Sequence, residues 1–371
     1  MAKSTVPSTS AAPVARLAVS AYTVPTETPE SDGTLEWAST TIVVVELQAA
    51  GVCGLGYSYA DLATARLIET RLADVVVGGD AWGTRELWEA MVRSIRNLGR
   101  PGIASMAIAA VDVALWDLKA RMLGVSVLGL LGPVRRTVPV YGSGGFTSYS
   151  VEALQEQLGG WAGRGMTRVK MKVGRQPGED DGRVRAARSA IGPDVELFVD
   201  ANGGYSRKQA LAHAERFAEA GVTWFEEPVS SDDLEGLRLI RDRAPSGMAI
   251  TAGEYGYDLP YFRRMLAAGA VDVLQADATR CAGITGFLQA ATLCEAHGVA
   301  LSAHTAPALH AHPCCAIPAV QHVEYFHDHA RIERLFFDGA PEPTNGVLEP
   351  DRTRPGLGLE LRRADVARFA H

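Results

Sequence analysis

Eight residues in this chain stand where chemistry could be done. Lys170 and Lys172 lie two apart in VKMKV. Asp200 stands in LFVDAN, Glu226 in WFEEP, Glu254 in ITAGE, Asp277 in VLQAD, His304 in LSAHT and Glu324 in HVEYF. Each falls at the end of a short apolar run, and from Asp200 onward they recur every 20 to 28 residues. Asp200, Glu226 and Glu254 form the first group. Three converging carboxylates repel one another unless a cation sits among them. An all-oxygen set with room for water and substrate suits Mg²⁺. Acidic residues after strands also serve as helix caps, but three in consecutive units argue for a shared role.

Lys170 and Lys172 form the second group. Their spacing puts both on one face of a strand, while Val169, Met171 and Val173 point to the other. Two neighbouring ammonium groups disfavour each other's charge, so one lysine is expected to be lowered toward working pH and to act as a general base. Asp277 and His304 form the third. A carboxylate beside an imidazole fixes its tautomer and raises its basicity. His310 and His312 resemble a metal pair, but no nearby carboxylate completes it. Lysine on one side and histidine on the other, with a metal between, suit abstraction of the proton α to a carboxylate through an enediolate. Asn202 shares the face of Asp200 and is expected to support the site.

The spacing of these groups is about one strand plus one helix per step, which implies parallel strands with crossover helices. Eight such units close a barrel whose site lies at the C-terminal strand ends. The expected fold is therefore α/β, a modified (β/α)₈ barrel spanning 134–330. VPVYGSGG is strand one and AVQHVEYF strand eight. Ser206 and Gln209 match a capping box at the start of the helix after strand three. Residues 14–133 have no βα repeat. They read as strands over 14–23 and 40–48, a turn at GVCGLGYSYA into a third strand, then helices, giving an N-terminal α+β domain. TVPTETPESDGTLEWAS reads as a long polar loop. DLATARLIETRLADVVVG reads as one helix. SMAIAAVDVALWDLKARMLG is the strongest, with Ala109, Val113, Trp116, Leu118 and Met122 forming an apolar stripe. Residues 1–13 read as a disordered lead-in and 331–371 as a segment packing back on that first domain.

The chain has 371 residues, 47% hydrophobic and 21% charged, with a net charge of −7. That length accommodates a barrel of about 250 residues plus a second domain. The acidic balance argues against nucleic acid, and no apolar run is long enough to span a membrane. The five cysteines show no CxxC spacing and read as reduced thiols of a cytoplasmic protein. The adjacent Cys314 and Cys315 suggest no role. A metal-dependent amidohydrolase would want a His-x-His pair at strand one, where VPVYGSGG has none. A binding protein that had lost catalysis would not need the lysines and the dyad.

The segments AAVDVALWDLKARMLG, KMK, DAN, EEP, GE, QADATRCAGITG, SAH and VEYF together resemble the enolase superfamily, mandelate racemase subgroup, over nearly the whole chain. The resemblance implies Asp200, Glu226 and Glu254 as Mg²⁺ ligands. It implies Lys172 as the base on one face, with Lys170 contacting the substrate carboxylate, and His304 with Asp277 as the acid/base on the other. Glu324 would stabilise the intermediate, donating a hydrogen bond if protonated. The resemblance makes residues 14–133 an N-terminal α+β capping domain, whose loop at 23–37, with Trp37, and turn near Tyr57 would close over a small-molecule carboxylate substrate. The implied activity is dehydration of an acid sugar to a 2-keto-3-deoxy acid. Racemisation or epimerisation of a 2-hydroxy acid and sugar-lactone cycloisomerisation are the alternatives. The resemblance also implies a homo-oligomer, a dimer or larger.

Overall fold

The computed structural model of the chain describes residues 11–371, so most of the expected disordered lead-in lies outside the described residues. Its last residues are placed. Ala12 is buried, its N–H donates to Asp80 Oδ1 at 3.0 Å, and Pro13 bridges Asp80. Among the described residues no helix is long and apolar enough to cross a membrane.

Three antiparallel strands open the chain: β1 (Arg16–Ser31), β2 (Glu36–Ala49) and β3 (Val52–Tyr59). The polar stretch expected as a loop is thus mostly strand, a long hairpin with a turn at 32–35. Two features permit this. β1 is the edge of the sheet, where Pro25 and Pro29 withhold N–H groups at little cost. A register shift between Pro25 and Glu30 absorbs the mismatch. At the turn, Asp32 Oδ1 accepts from the N–H groups of Thr34 and Leu35, both at 2.7 Å. A Cβ on Gly33 would lie 2.1 Å from the Ala201 carbonyl oxygen, so the hairpin tip is seated directly on the barrel.

The helix expected over 61–78 is interrupted by a π-helical turn, Ile68–Leu72, between Leu62–Leu67 and Ala73–Val76. The helix Ile103–Met122 is buried on more than one face, beyond the single stripe its sequence suggests. One face packs on β3, where Gly54 and Gly56 allow close approach. Another meets the barrel helix Gly283–His297, where Asp112 Oδ2 accepts from Thr285 N–H at 2.9 Å and Trp116 Nε1 donates to Thr285 Oγ1 at 2.9 Å. A Cβ at Gly56 would sit 2.2 Å from the Ala110 carbonyl oxygen, which is backbone and cannot swing away. Gly56→Val is therefore expected to lower the unfolding free energy by about 3 kcal/mol, read as a fall in Tm by calorimetry.

Eight parallel strands follow: β4 (Val138–Gly144), β5 (Arg168–Lys172), β6 (Glu196–Asp200), β7 (Val222–Glu226), β8 (Ala249–Ala252), β9 (Val273–Ala276), β10 (Ala300–Ala303) and β11 (Val320–Phe326). They pair in chain order, and β11 pairs β4 to close the barrel. Ser206 and Gln209 form the capping box. The C-terminal segment runs back along the first domain: Leu357 N–H donates to Asp117 Oδ1 at 2.6 Å, and His371 N–H to the Ala21 carbonyl at 3.1 Å.

Candidate active site

The two-residue strand period stacks the barrel interior in layers. Tyr141, Phe198 and Trp224 form an aromatic floor, with Phe198 and Trp224 stacked at 5.0 Å. Two residues on toward the C-terminal ends, the same inward face becomes polar: Ser143, Asp200 and Glu226. Strand register sets Lys172 opposite Asp200, and Asp200 opposite Glu226. The floor supports the polar layer directly, since Trp224 Nε1 donates to Glu226 Oε2 at 2.9 Å.

Asp200, Glu226 and Glu254 converge as expected, with one carboxylate oxygen from each within 4.8 Å of the others, and all three are buried. Burial and the neighbouring Asp200 push the Glu226 carboxyl well up. Burial also disfavours the Asp200 charge, but Lys172 and Lys170 hold that carboxyl below its usual range. Glu254 Oε2 is buried and accepts no hydrogen bond. Its neighbour Glu227 is buried with both carboxylate oxygens unpartnered and a left-handed φ of 39°. Such a crowd of carboxylates is tolerable when a divalent cation neutralises it, and an all-oxygen set fits a hard ion. His310 and His312 do not form a metal pair. His310 Nε2 accepts from Ala278 N–H at 2.9 Å, and His312 Nδ1 from Leu128 N–H at 3.2 Å, so both are structural.

Lys172 and the His304–Asp277 dyad flank the cluster at its two ends. Lys172 Nζ lies 2.5 Å from Asp200 Oδ2 and 3.1 Å from Asn202 Oδ1. His304 Nδ1 meets Asp277 Oδ2 at 2.9 Å, and its Nε2 lies 3.3 Å from Glu254 Oε2. The dyad is oriented further by Thr279, whose N–H and hydroxyl both reach Asp277 Oδ1 at 2.7 Å. Burial disfavours the Asp277 charge, but hydrogen bonding to His304 and its positive field hold the carboxyl well below the ordinary range.

Three expectations are corrected here. The lysines are not lowered by their mutual repulsion. Burial opposes the Lys170 charge, but Glu226 and Glu324 outweigh it and hold the ammonium well above its ordinary range. Burial likewise opposes the Lys172 charge, Asp200 and further carboxylates more than restore it, and the group is raised. Glu324 is not positioned as a protonated donor. It accepts from Ser143 Oγ at 2.6 Å and from Thr305 N–H at 3.1 Å, and lies 2.8 Å from Lys170 Nζ. Burial disfavours its charge, but Lys170 and His304 hold it well below the usual carboxylate range. Tyr57 does not face the substrate cavity. It is fully buried, its hydroxyl donating to Glu333 Oε1 at 2.6 Å beneath the cap. Tyr59, two residues on, lines the cavity in its place.

The cavity holds about 400 Å³ at the strand ends, roofed by the hairpin. Lys172, Asn202, Glu254, His304 and Glu324 line it, and so does Trp37, whose Nε1 donates to Glu30 Oε2 at 2.9 Å. Lys170 lies beneath, completely buried. Arg280 also lines the cavity, although its sequence setting, three residues after Asp277, did not mark it. Its guanidinium reaches Glu254 Oε1 at 3.3 Å and Asp277 Oδ2 at 3.7 Å, joining the carboxylate cluster to the dyad.

Family models agree with this architecture. Residues 18–132 match the N-terminal domain of mandelate racemase/muconate lactonizing enzymes, and 153–366 match the enolase C-terminal domain-like family. The chain belongs to the mandelate racemase/muconate lactonizing enzyme family of the enolase superfamily. Among relatives, D-galactarolactone cycloisomerase of Agrobacterium fabrum is 29% identical, covering 92% of this chain and 95% of its own. 3,6-Anhydro-alpha-L-galactonate cycloisomerase of Streptomyces coelicolor is 31% identical over 94% and 98%. L-Talarate/galactarate dehydratase of Salmonella typhimurium is 31% identical over 77% and 73%. A solved mandelate racemase/muconate lactonizing enzyme-like protein from Rubrobacter xylanophilus superposes with a TM-score of 0.95 at 58% identity, over 97% of this chain and 100% of that one. A Streptomyces coelicolor racemase with bound magnesium gives 0.91 at 30% identity, over 96% and 100%. Magnesium is the metal of this superfamily, and the cluster of Asp200, Glu226 and Glu254 fits it.

Proposed function

We propose that the chain abstracts the proton α to the carboxylate of an acid sugar and expels the β-hydroxyl, giving a 2-keto-3-deoxy acid. One observation carries this reading. A three-carboxylate cluster meets the cavity through Glu254, with Lys172 at its Asp200 end and His304–Asp277 at its Glu254 end. When bound, Mg²⁺ supplies the positive charge that makes such a proton acidic. The rest falls to the chain. Lys172 and His304 each command one face of the α-carbon, and one of them takes its proton. The C2–H bond breaks, the C3–O bond breaks as the hydroxyl leaves with a proton from the acid on its side, and one water is lost. The resulting enol tautomerises to the ketone. Asp277 holds the His304 ring, and Lys170, seated between Glu226 and Glu324, fixes both carboxylates.

A screen of acid sugars with Mg²⁺, read by semicarbazide and mass spectrometry, tests the proposal. The expected result is a keto product lighter than its substrate by one water. Cycloisomerisation is the second reading, favoured by the two cycloisomerases aligning over nearly their full lengths. There a ring C–O bond breaks in place of C3–OH, and mass is conserved. Deuterium entering recovered substrate with no other product would instead indicate racemisation or epimerisation. The unpaired cysteines support a cytoplasmic location, and the family likeness supports self-association as a dimer or larger, the latter tested by light scattering.

A further inference from the structure

The cavity wall built by the cap and its neighbours carries polar groups outside the carboxylate cluster and the dyad. Asp32 at the hairpin tip and Asp61 beyond β3 both line it. Each spends one oxygen on its own turn: Asp32 Oδ1 on Thr34 and Leu35, and Asp61 Oδ1 on Ala63 N–H at 2.8 Å. The second oxygen of each is left for a ligand. His329 lines the same wall, only 9% exposed, stacked on Tyr59 at 3.4 Å, and its buried Nδ1 has no hydrogen-bond partner. Burial, and then neighbouring His304, push this imidazole down to about 3, so a ligand meets it as a neutral ring. Lys172 and Arg280 are already engaged, with Asp200 at 2.5 Å and with Glu254 at 3.3 Å. Among the described residues of the wall there is no other lysine or arginine.

From this placement we propose that the site takes a monocarboxylate acid sugar, an aldonate or its cyclic form, and discriminates against a dicarboxylate, with Asp32 and His329 reading the hydroxyl-bearing end. The proposal rests on the α-proton reading above, which places the reacting carboxylate at the metal cluster. A second carboxylate held against the cap wall would face two aspartates and a neutral imidazole. Like charges brought together in an enclosed site repel each other strongly. Hydroxyls there can donate to the aspartates and to the imidazole nitrogen. The relatives do not decide the matter, since their names include both monoacid and diacid sugars.

The test uses the full chain with Mg²⁺ in D₂O and aldonate–aldarate pairs of matched configuration. Deuterium at C2 is followed by NMR and keto product by semicarbazide. Aldonates are expected to show kcat/KM at least about 100-fold above their aldarates. Asp32→Asn keeps the oxygen that holds the turn and is expected to narrow that ratio by about 10-fold. His329→Ala is expected to raise KM for the aldonate by about 10-fold with a smaller change in kcat, circular dichroism confirming the fold. Aldarates handled as well as or better than aldonates would overturn the proposal while leaving the α-proton reading in place. An unchanged ratio in Asp32→Asn, or an unchanged KM in His329→Ala, counts against that residue's part. Absence of both exchange and keto product with either acid removes the α-proton reading and the proposal with it.

Discussion

Lys172→Met is expected to lower kcat by about 10³-fold or more, because a positioned general base typically contributes 10²–10⁴-fold. Methionine keeps the length of the side chain and its packing under Asn202, so substrate affinity is expected to change far less than kcat. His304→Asn removes the group on the other face and is expected to cost a similar factor. The two variants separate when hydrogen exchange is followed with the two C2 epimers of one acid sugar. Each should lose exchange with the epimer whose proton faces the missing group and keep some with the other. Equal residual exchange in both variants with both epimers would show that these side chains do not divide the two faces. The raised charge state of Lys172 belongs to its contact with Asp200. Any cation that draws Asp200 away weakens that contact and brings the lysine nearer to acting as a base.

Asp200→Asn is expected to weaken Mg²⁺ binding by at least about 100-fold and to reduce turnover to background, since it removes a carboxylate, proposed to hold the ion, that also partners both lysines. Calorimetric titration with Mg²⁺ measures the first and the keto-product assay the second. Melting gives a reading independent of catalysis. A ligand at about 100 times its Kd stabilises the native chain by about 2.7 kcal/mol. Wild-type protein should therefore melt higher with Mg²⁺ and lower after EDTA, while Asp200→Asn should respond to neither. A wild-type Tm indifferent to Mg²⁺ would argue that the three carboxylates do not hold the ion. Glu254 Oε2 and both oxygens of Glu227 make the prediction specific, because they are buried oxygens that accept no hydrogen bond from the protein.

Much of the barrel was legible from spacing alone. The strand-end pattern from Lys170 to Glu324 follows from two rigid periods, two residues along a strand and roughly one βα unit between strands. Those periods set Asp200 beside Glu226, and the turn through Gly253 just past β8 brings Glu254 to them. The dyad was legible for the same reason, since β9 and β10 are neighbours. The hairpin was less so. A polar, Pro-bearing stretch looks like a loop because its edge position, which excuses the prolines, is a property of the sheet and not of the segment. The exchange of Tyr57 for Tyr59 has a similar origin. Both residues share a strand face, and only the seating of the cap on the helix His327–Phe336 decides which meets Glu333 and which stacks on His329 beside the cavity.

The sequence by itself determined the family of chemistry: which residue types gather at the strand ends, in what order, and around what kind of ion. Only the tertiary structure decided the charge each group carries and the shape of the space above them. Lys170 and Lys172 are neighbours in sequence and so read as a mutually repelling pair, but the carboxylates around them come from β6, β7 and β11. Arg280 binds groups from two loops, and His329 reaches the cavity from a helix beyond the last strand. Electrostatics falls off with distance through space, so the sum that sets a protonation state or a substrate preference is taken over neighbours that the chain order does not list.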